Sequence, residues 1–276
     1  MFGSTRILNR IAQTITVGDV FAPFIGTYSP YASGTEGRED WDGKIWKETP
    51  LDHIGLVAKD GVPVGTIGYE DLEENRSIWP LMNKLSWTSV VAADTPLIEA
   101  AKFFNEKSPF VFLVLRRNEL VGWMSYYHLL GIPFRACLFS MLLAIEQAML
   151  EIAITNPDLA RTKLDPKRVN SLEGQIKKRN PKQSKVSSRQ LLDGTLFSDK
   201  LKIIKGCAKT SASIPALGDS LLNDVDDVRN SLAHASEDFR LIKLLSKARL
   251  HVLLTWLTKL ETELRTYIAR GQQLAG

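Results

Sequence analysis

The chain repeats a unit of itself. Setting Gly65 on Gly122 also sets Val57 on Val114, Val64 on Val121, Tyr69 on Tyr126 and Leu72 on Leu129, all at one offset of 57 residues. In each copy an apolar run, a turn and a second apolar run predict a β-hairpin. Asp60-Gly61 supplies one turn and Arg116 to Glu119 the other. A short helical segment follows each hairpin. A duplicated strand–turn–strand–helix unit confines the first half of the chain to an α/β architecture.

Ahead of the second copy stands Asp94-Thr-Pro-Leu-Ile-Glu-Ala-Ala-Lys-Phe-Phe104. Thr95 is placed to cap a helix, Pro96 to begin it, and Glu99 to complement its positive end. Leu97, Ala101 and Phe104 fall on one face. A generic βαββα piece would read this way. The order of a "DTPLxEAA" helix, a hairpin ending in Leu-Val-Gly and a closing helix also resembles a tandem of CBS domains. The second repeat, about 87–131, matches along its length. The first, about 12–75, is clear only from His53 to Glu74; its helix is missing, and an insertion at 27–48 carries Trp41 and Trp46.

The resemblance implies an adenine nucleotide (AMP, ATP or S-adenosylmethionine) as a regulatory ligand between the repeats. The family motif is Gly-x-x-Ser/Thr-x-x-Asp, its carboxylate accepting from the ribose hydroxyls. Here Gly65-Thr-Ile-Gly-Tyr-Glu-Asp71 keeps Asp71 but has Gly68 in the hydroxyl position. Gly122-Trp-Met-Ser-Tyr-Tyr-His128 keeps Ser125 but has His128 in the carboxylate position. Asp71, Ser125 and His128 are the candidate nucleotide contacts. A degenerate pair retained for structure stands beside this reading.

After Pro133 the apolar periodicity becomes helical. Leu138, Met141/Leu142, Ile145, Met149 and Ile152 form one stripe, and Leu241, Leu244/Leu245, Ala248, Val252, Trp256 and Leu260 another. Leu191–Ile204 and Leu217–Leu232 are further candidates. Four or five helices over about 140 residues predict a bundle. With 276 residues the chain has room for two domains. The predicted division is 1–132 and 134–270, with a boundary near Gly131-Ile-Pro133.

The formal charge of +4 conceals an asymmetry. Residues 161–209 hold 14 Lys or Arg against Asp165, Glu173, Asp193 and Asp199, a local balance of +10 that leaves −6 elsewhere. Within it, Lys177-Lys-Arg-Asn-Pro-Lys-Gln-Ser-Lys185 predicts an exposed, turn-rich loop. Lys177, Lys178, Arg179, Lys182 and Lys185 suit phosphate contacts with RNA, although an isolated basic run also serves as a solvated surface.

Arg229-Asn-Ser-Leu-Ala-His234 closes the penultimate helical segment. Bare Arg and His at such spacings arise by chance roughly 0.7 times in this composition, but requiring Asn after Arg at one spacing lowers this to roughly 0.008. The hexapeptide, the Thr195-Leu-Phe-Ser-Asp199 helix start and Glu146 central in the first helix resemble the HEPN superfamily of all-helical nucleases. That resemblance implies a metal-independent endoribonuclease with Arg229, Asn230, His234 and Glu146 in its site. It also implies a homodimer that brings two motifs together, products ending in 2′,3′-cyclic phosphate, and a setting in stress response, toxin–antitoxin function or antiviral defence. Histidine titrates near neutrality and can move protons, and Arg229 can hold two phosphate oxygens. A helix-terminal His234 on the dipole, with Arg229 paired to Asp226 or Asp227, is the structural alternative. A non-catalytic RNA-binding or interaction module is the functional one. His251 reads as structural.

Two cysteines without a CxxC pattern exclude a disulfide framework, and four dispersed histidines argue against a histidine-built metal centre. The start lacks a signal-peptide core. Arg135, Glu146 and Glu151 interrupt the most apolar stretch, which argues against a membrane span. The expectation is a cytoplasmic protein.

Overall fold

The computed structural model describes residues 14–24, 27–29, 31–32, 54–68, 71–72, 76–104, 111–206, 213–218, 222–233 and 245–273. The backbone separates into two compact units, Ile15–Phe134 and a second that takes Thr14 together with Arg135 onward. The first is α/β. Among the described residues of the second, every regular element is helical.

The α/β unit holds two four-stranded sheets. Strands β1 (Ala22–Pro23), β6 (Val90–Ala92), β7 (Val111–Arg116) and β8 (Glu119–Ser125) make one, in the order β1-β8-β7-β6. Strands β2 (Thr27–Tyr28), β3 (Ile54–Lys59), β4 (Val62–Gly68) and β5 (Asn83–Lys84) make the other, in the order β2-β3-β4-β5. All six hairpin pairings of β3 with β4, from Ile54↔Gly68 to Lys59↔Val62, recur 57 residues later between β7 and β8. Each hairpin is irregular at the same point, after Val57 and after Val114. Asp60 (φ 51°) and Gly61 (φ 77°) give the left-handed pair that a two-residue hairpin turn requires. Arg117 holds φ 57° in the second copy.

The sheets exchange strands. β5, which precedes the second copy, pairs with the hairpin of the first through Gly65↔Lys84 and Thr66↔Asn83. β1, which precedes the first copy's leading strand, pairs with the hairpin of the second through Ala22↔Trp123 and Pro23↔Gly122. This crossing explains the two aligned glycines. A Cβ on Gly65 would lie 2.8 Å from the Asn83 carbonyl oxygen, and one on Gly122 would strike the Ala22 carbonyl and the Phe21 ring. Lys59 sits 5.9 Å from the Tyr31 ring centre and Arg116 5.4 Å from that of Phe21, so the matching cation of each copy covers an aromatic ring.

Two expectations for this unit need correction. The insertion at 27–48 does not begin at Thr27. Residues Thr27–Tyr28 pair in parallel with Leu56–Val57 as Val90–Val91 pair with Leu113–Val114, so they are the first copy's leading strand. Of the other inserted residues, Ser29, Tyr31 and Ala32 are described; the rest, and the missing first helix, lie outside the described residues. Thr95 does not cap the second copy's helix α1 (Leu97–Ala101), where Pro96 holds the N-cap position without a side-chain hydrogen bond. The Leu97 amide donates instead to the Ile15 carbonyl. Leu97, Ala101 and Phe104 are fully buried, with Phe104 edge-on to Phe112 at 4.8 Å. Helix α2 (Tyr126–Leu129) follows β8.

Seven helices stand among the described residues from 132 onward, where four or five were expected. They are α3 (Ile132–Ile154), α4 (Leu159–Lys163), α5 (Pro166–Arg179), α6 (Ser188–Asp193), α7 (Phe197–Lys205), α8 (Leu222–Ala233) and α9 (Lys247–Gln273). The surplus comes from breaks. Gly194 ends α6, so Leu191–Ile204 is two helices rather than one, and Pro215–Gly218 forms a separate 3-10 turn before α8. The apolar stripe of α9 runs through Leu250, Leu253/Leu254, Leu257, Leu260 and Leu264, while Val252, expected on it, is 47% exposed. Trp256 is buried and donates to the Ala216 carbonyl at 3.1 Å.

Helix α3 has the length and hydropathy of a membrane span, with a mean of 1.8 over 18 residues, yet 61% of that window is buried within the protein. Leu138, Leu142, Ile145 and Met149 face a core here. Ala153, Leu164, Leu172, Leu191, Leu192 and Ile203 gather the shorter helices into one apolar cluster.

Candidate functional site

The α/β unit turns its half-motifs onto its own backbone. Ser125 is fully buried at the start of α2. Its Oγ accepts from the His128 amide at 3.3 Å, while His128 Nδ1 accepts from the Ser125 amide at 3.1 Å and lies 3.0 Å from Ser125 Oγ. This is a reciprocal capping box with histidine in the place usually held by Glu or Gln. The His128 ring meets Trp123 edge-on at 4.6 Å. In the first copy Asp71 Oδ2 accepts from the Gly68 amide at 3.3 Å, the counterpart of the bond that His128 Nδ1 makes with the Ser125 amide. Asp71 is exposed. Burial pushes the Tyr126 phenol well above its ordinary range, and neighbouring Tyr127 adds to the effect. A cleft of about 580 Å³ lies elsewhere in this unit, lined by Thr16, Asp19, Asp94, Arg116 and Arg117 among others, and none of Asp71, Ser125 and His128 lines it.

The helical unit gathers charges from three helices. Glu146 of α3 stands between Lys200 of α7 and Arg229 of α8. Lys200 Nζ donates to Glu146 Oε1 at 2.9 Å and to the Thr195 carbonyl. Arg229 Nη2 donates to Glu146 Oε2 at 3.3 Å. Side-chain exposure is 6% for Lys200, 15% for Glu146 and 22% for Arg229. Arg229 Nε is buried and has no hydrogen-bond partner among the described residues. The carboxylate is thus a shared counter-ion of Lys200 and Arg229. Asn230 is exposed, one residue along. His234 follows the last described residue of α8 and lies outside the described residues.

The start of α7 is what presents Lys200. Asp199 accepts from the Leu196 amide at 3.0 Å and receives Arg168 Nε and Nη2 on its carboxylate. Burial alone would raise the Asp199 carboxyl, but Arg168, the Leu196 amide and Lys202 together hold it below the ordinary carboxylate value. The same hydrogen bonds push Arg168 up. Neither Lys200 nor the Arg168–Asp199 pair stood out in the sequence. A signal existed for Lys200, which shares the face of Phe197, Leu201 and Ile204, all buried.

The basic run departs from the expected loop. Lys177, Lys178 and Arg179 form the last turn of α5, where cations complement the negative end of the helix dipole, and the turn begins only at Asn180. Lys177, Lys178, Arg179, Lys182 and Lys185 are all exposed, and no ion pair engages any of them among the described residues. The four acids of 161–209 are occupied internally. Asp165 caps α5, Glu173 pairs with Arg161, Asp193 with Arg189 and Asp199 with Arg168.

No protein-family model matches the chain, and no curated protein does. Among solved structures it is similar to the CBS domain of a bacterial CNNM/CorC-family Mg2+ transporter in complex with ATP, at 9% identity and a TM-score of 0.36, over 49% of this chain and 95% of that one. It is also similar to CBSX2, a CBS-pair protein of Arabidopsis thaliana, at 22% identity and a TM-score of 0.33, over 45% of this chain and 94% of that one. CBSX2 in complex with AMP matches at 21% identity, again with a TM-score of 0.33, over 45% of this chain and 96% of that one.

Proposed function

We propose that the chain joins a CBS pair to a HEPN-type domain that binds and cleaves RNA, with the pair as its regulator. The observation that carries the RNA reading is the distribution of charge. The acids of the basic segment are spent on internal pairs, while five neighbouring cations face solvent in the same unit as Arg229. Such a cluster neutralises phosphates without choosing bases. In this reading the 2′-oxygen of RNA attacks phosphorus and the bond to the 5′-oxygen breaks. One His234 takes the 2′-proton, and the His234 of a second copy returns a proton to the leaving oxygen. Arg229 holds the charge that builds on phosphorus, and Asn230 orients or contacts the phosphate. The products end in 2′,3′-cyclic phosphate and 5′-hydroxyl, no metal takes part, and the active form is a homodimer in a stress or defence setting.

Labelled single-stranded RNA incubated with the purified chain in EDTA, beside Arg229→Ala and His234→Ala, tests this. Cleavage is expected to fall by about 10²–10⁴ in either variant. Equal cleavage by wild type and His234→Ala overturns the mechanism. A second reading, a non-catalytic RNA-binding module, is favoured by the pairing of Arg229 with Glu146, which already offsets the charge that catalysis would direct at phosphorus. Binding without cleavage by wild type would establish it.

For the CBS pair, the repeat register and exchanged strands support a regulatory adenine nucleotide, with Asp71 toward ribose and Ser125 and His128 in the second motif. Calorimetry with ATP, AMP and S-adenosylmethionine is the direct measurement. No heat at millimolar ligand would leave the pair a structural one.

A further inference from the structure

We infer that Lys200 is a positioning residue that keeps Arg229 available for a phosphate group by drawing Glu146 away from it. The inference rests on the RNA reading above and names the residue that readies the same site. A carboxylate and a guanidinium in a partly dry setting ordinarily close into a two-pronged pair at about 2.7–2.9 Å. Glu146 and Arg229 do not. They share one contact of 3.3 Å, because the other carboxylate oxygen is held by Lys200 at 2.9 Å.

Lys200 is fixed on both sides. Its Nζ also donates to the Thr195 carbonyl, and the helix start that presents it is pinned by Asp199. Among the described residues two cations meet one carboxylate, which leaves one positive charge on the three. Lys200 is buried and Arg229 is the more exposed cation, so the surplus lies on the side open to an incoming anion. The partnerless Nε of Arg229 is a donor that Glu146 has not taken. Without Lys200, Glu146 would turn to Arg229 and occupy the fork that a phosphate needs.

The test uses the full chain with 15N-labelled arginine. The Arg229 Nε–H signal is assigned by its loss in Arg229→Lys, and inorganic phosphate is titrated. Phosphate is expected to shift this signal in wild type and in Lys200→Arg. In Lys200→Met the signal should move before phosphate is added, and phosphate affinity should fall about ten-fold or more. Lys200→Met/Glu146→Gln should recover affinity to within about three-fold of wild type. A Lys200→Met affinity within about two-fold of wild type, or no phosphate shift in wild type, overturns the inference. Should Lys200→Met fail to fold by circular dichroism, the double variant decides. An about ten-fold loss there overturns the inference, and wild-type affinity supports it. If wild type binds phosphate but not RNA, the RNA reading fails and the role of Lys200 stands.

Discussion

The two units treat polar side chains in opposite ways. In the α/β unit the motif residues are consumed at short range: Ser125 and His128 cap each other and Asp71 closes its own turn. In the helical unit carboxylates reach across helices to cations, and the cations left over face outward or carry an unspent donor. A ligand of the first unit must compete with backbone hydrogen bonds already made. A ligand of the second meets five exposed cations that no ion pair engages among the described residues. On the proposed reading the helical unit meets RNA as it stands, whereas the α/β unit must rearrange to accept a nucleotide.

The largest expected effect tests the outward charge. Replacing Lys177, Lys178, Arg179, Lys182 and Lys185 by Gln should weaken RNA binding by about 10²–10³ near 0.1 M salt and flatten its salt dependence. Fluorescence anisotropy at several salt concentrations reads both. An unchanged slope would place the RNA elsewhere and dissolve the contrast. Stability should fall only by about 1 kcal/mol, from the three cations at the C-terminus of α5, since no ion pair engages the five among the described residues.

The next effect belongs to the exchanged strands. Gly122→Ala should destabilise the α/β unit by about 2–3 kcal/mol, because its Cβ meets the Ala22 carbonyl of a fixed backbone. Gly65→Ala should cost about 1 kcal/mol less, since part of its obstruction is the flexible Met82 side chain. Hydrogen exchange in Val111–Ser125 and Ile54–Gly68 would show each hairpin loosening while the helical unit keeps its protection. Loss of protection in both units would show that they unfold together.

Asp199→Asn should cost the helical unit about 2 kcal/mol at neutral pH. The folded-state carboxyl is held below its ordinary 3.8, so its contribution is fully present above that value and fades as pH falls through the lower folded value. Melting temperatures of wild type and variant should therefore run parallel from neutrality down to about pH 5 and converge only below 3.8. Convergence at higher pH would contradict the Arg168 pairing.

The smallest effect tests the inward use of polar groups. Ser125→Ala removes one half of the capping box and should destabilise by about 1 kcal/mol. His128→Asp keeps an acceptor for the Ser125 amide and should cost less than about 0.5 kcal/mol. If His128→Asp gains nucleotide affinity in calorimetry, the second motif was one side chain from binding.

The duplication was the most legible feature, because strand pairing copies a fixed offset and the offset carried turns, glycines and register together. It also misled at Thr27, where two residues form a strand only because Leu56 and Val57 lie beside them, a tertiary fact that local pattern does not contain. The helical half was legible as helix but not as seven helices. Gly194 and the residues after it end one helix and start another without breaking the apolar spacing on either side. Arg229 was visible through its motif, and Glu146 through its place in the first helix. Lys200 was not, because a lysine on an apolar face is read as a solvated cation until its partner, 54 residues away, is known.

The strand exchange has a consequence for synthesis. Ala22 leaves the ribosome about a hundred residues before Trp123, against which it must pair. At roughly 5–20 residues per second that is a wait of about 5–20 s. Through it the first hairpin can close locally, but the sheet that β1 completes does not yet exist. β1 stays an unpaired strand for that interval, and a stop codon anywhere between Pro23 and Gly122 would leave it so permanently.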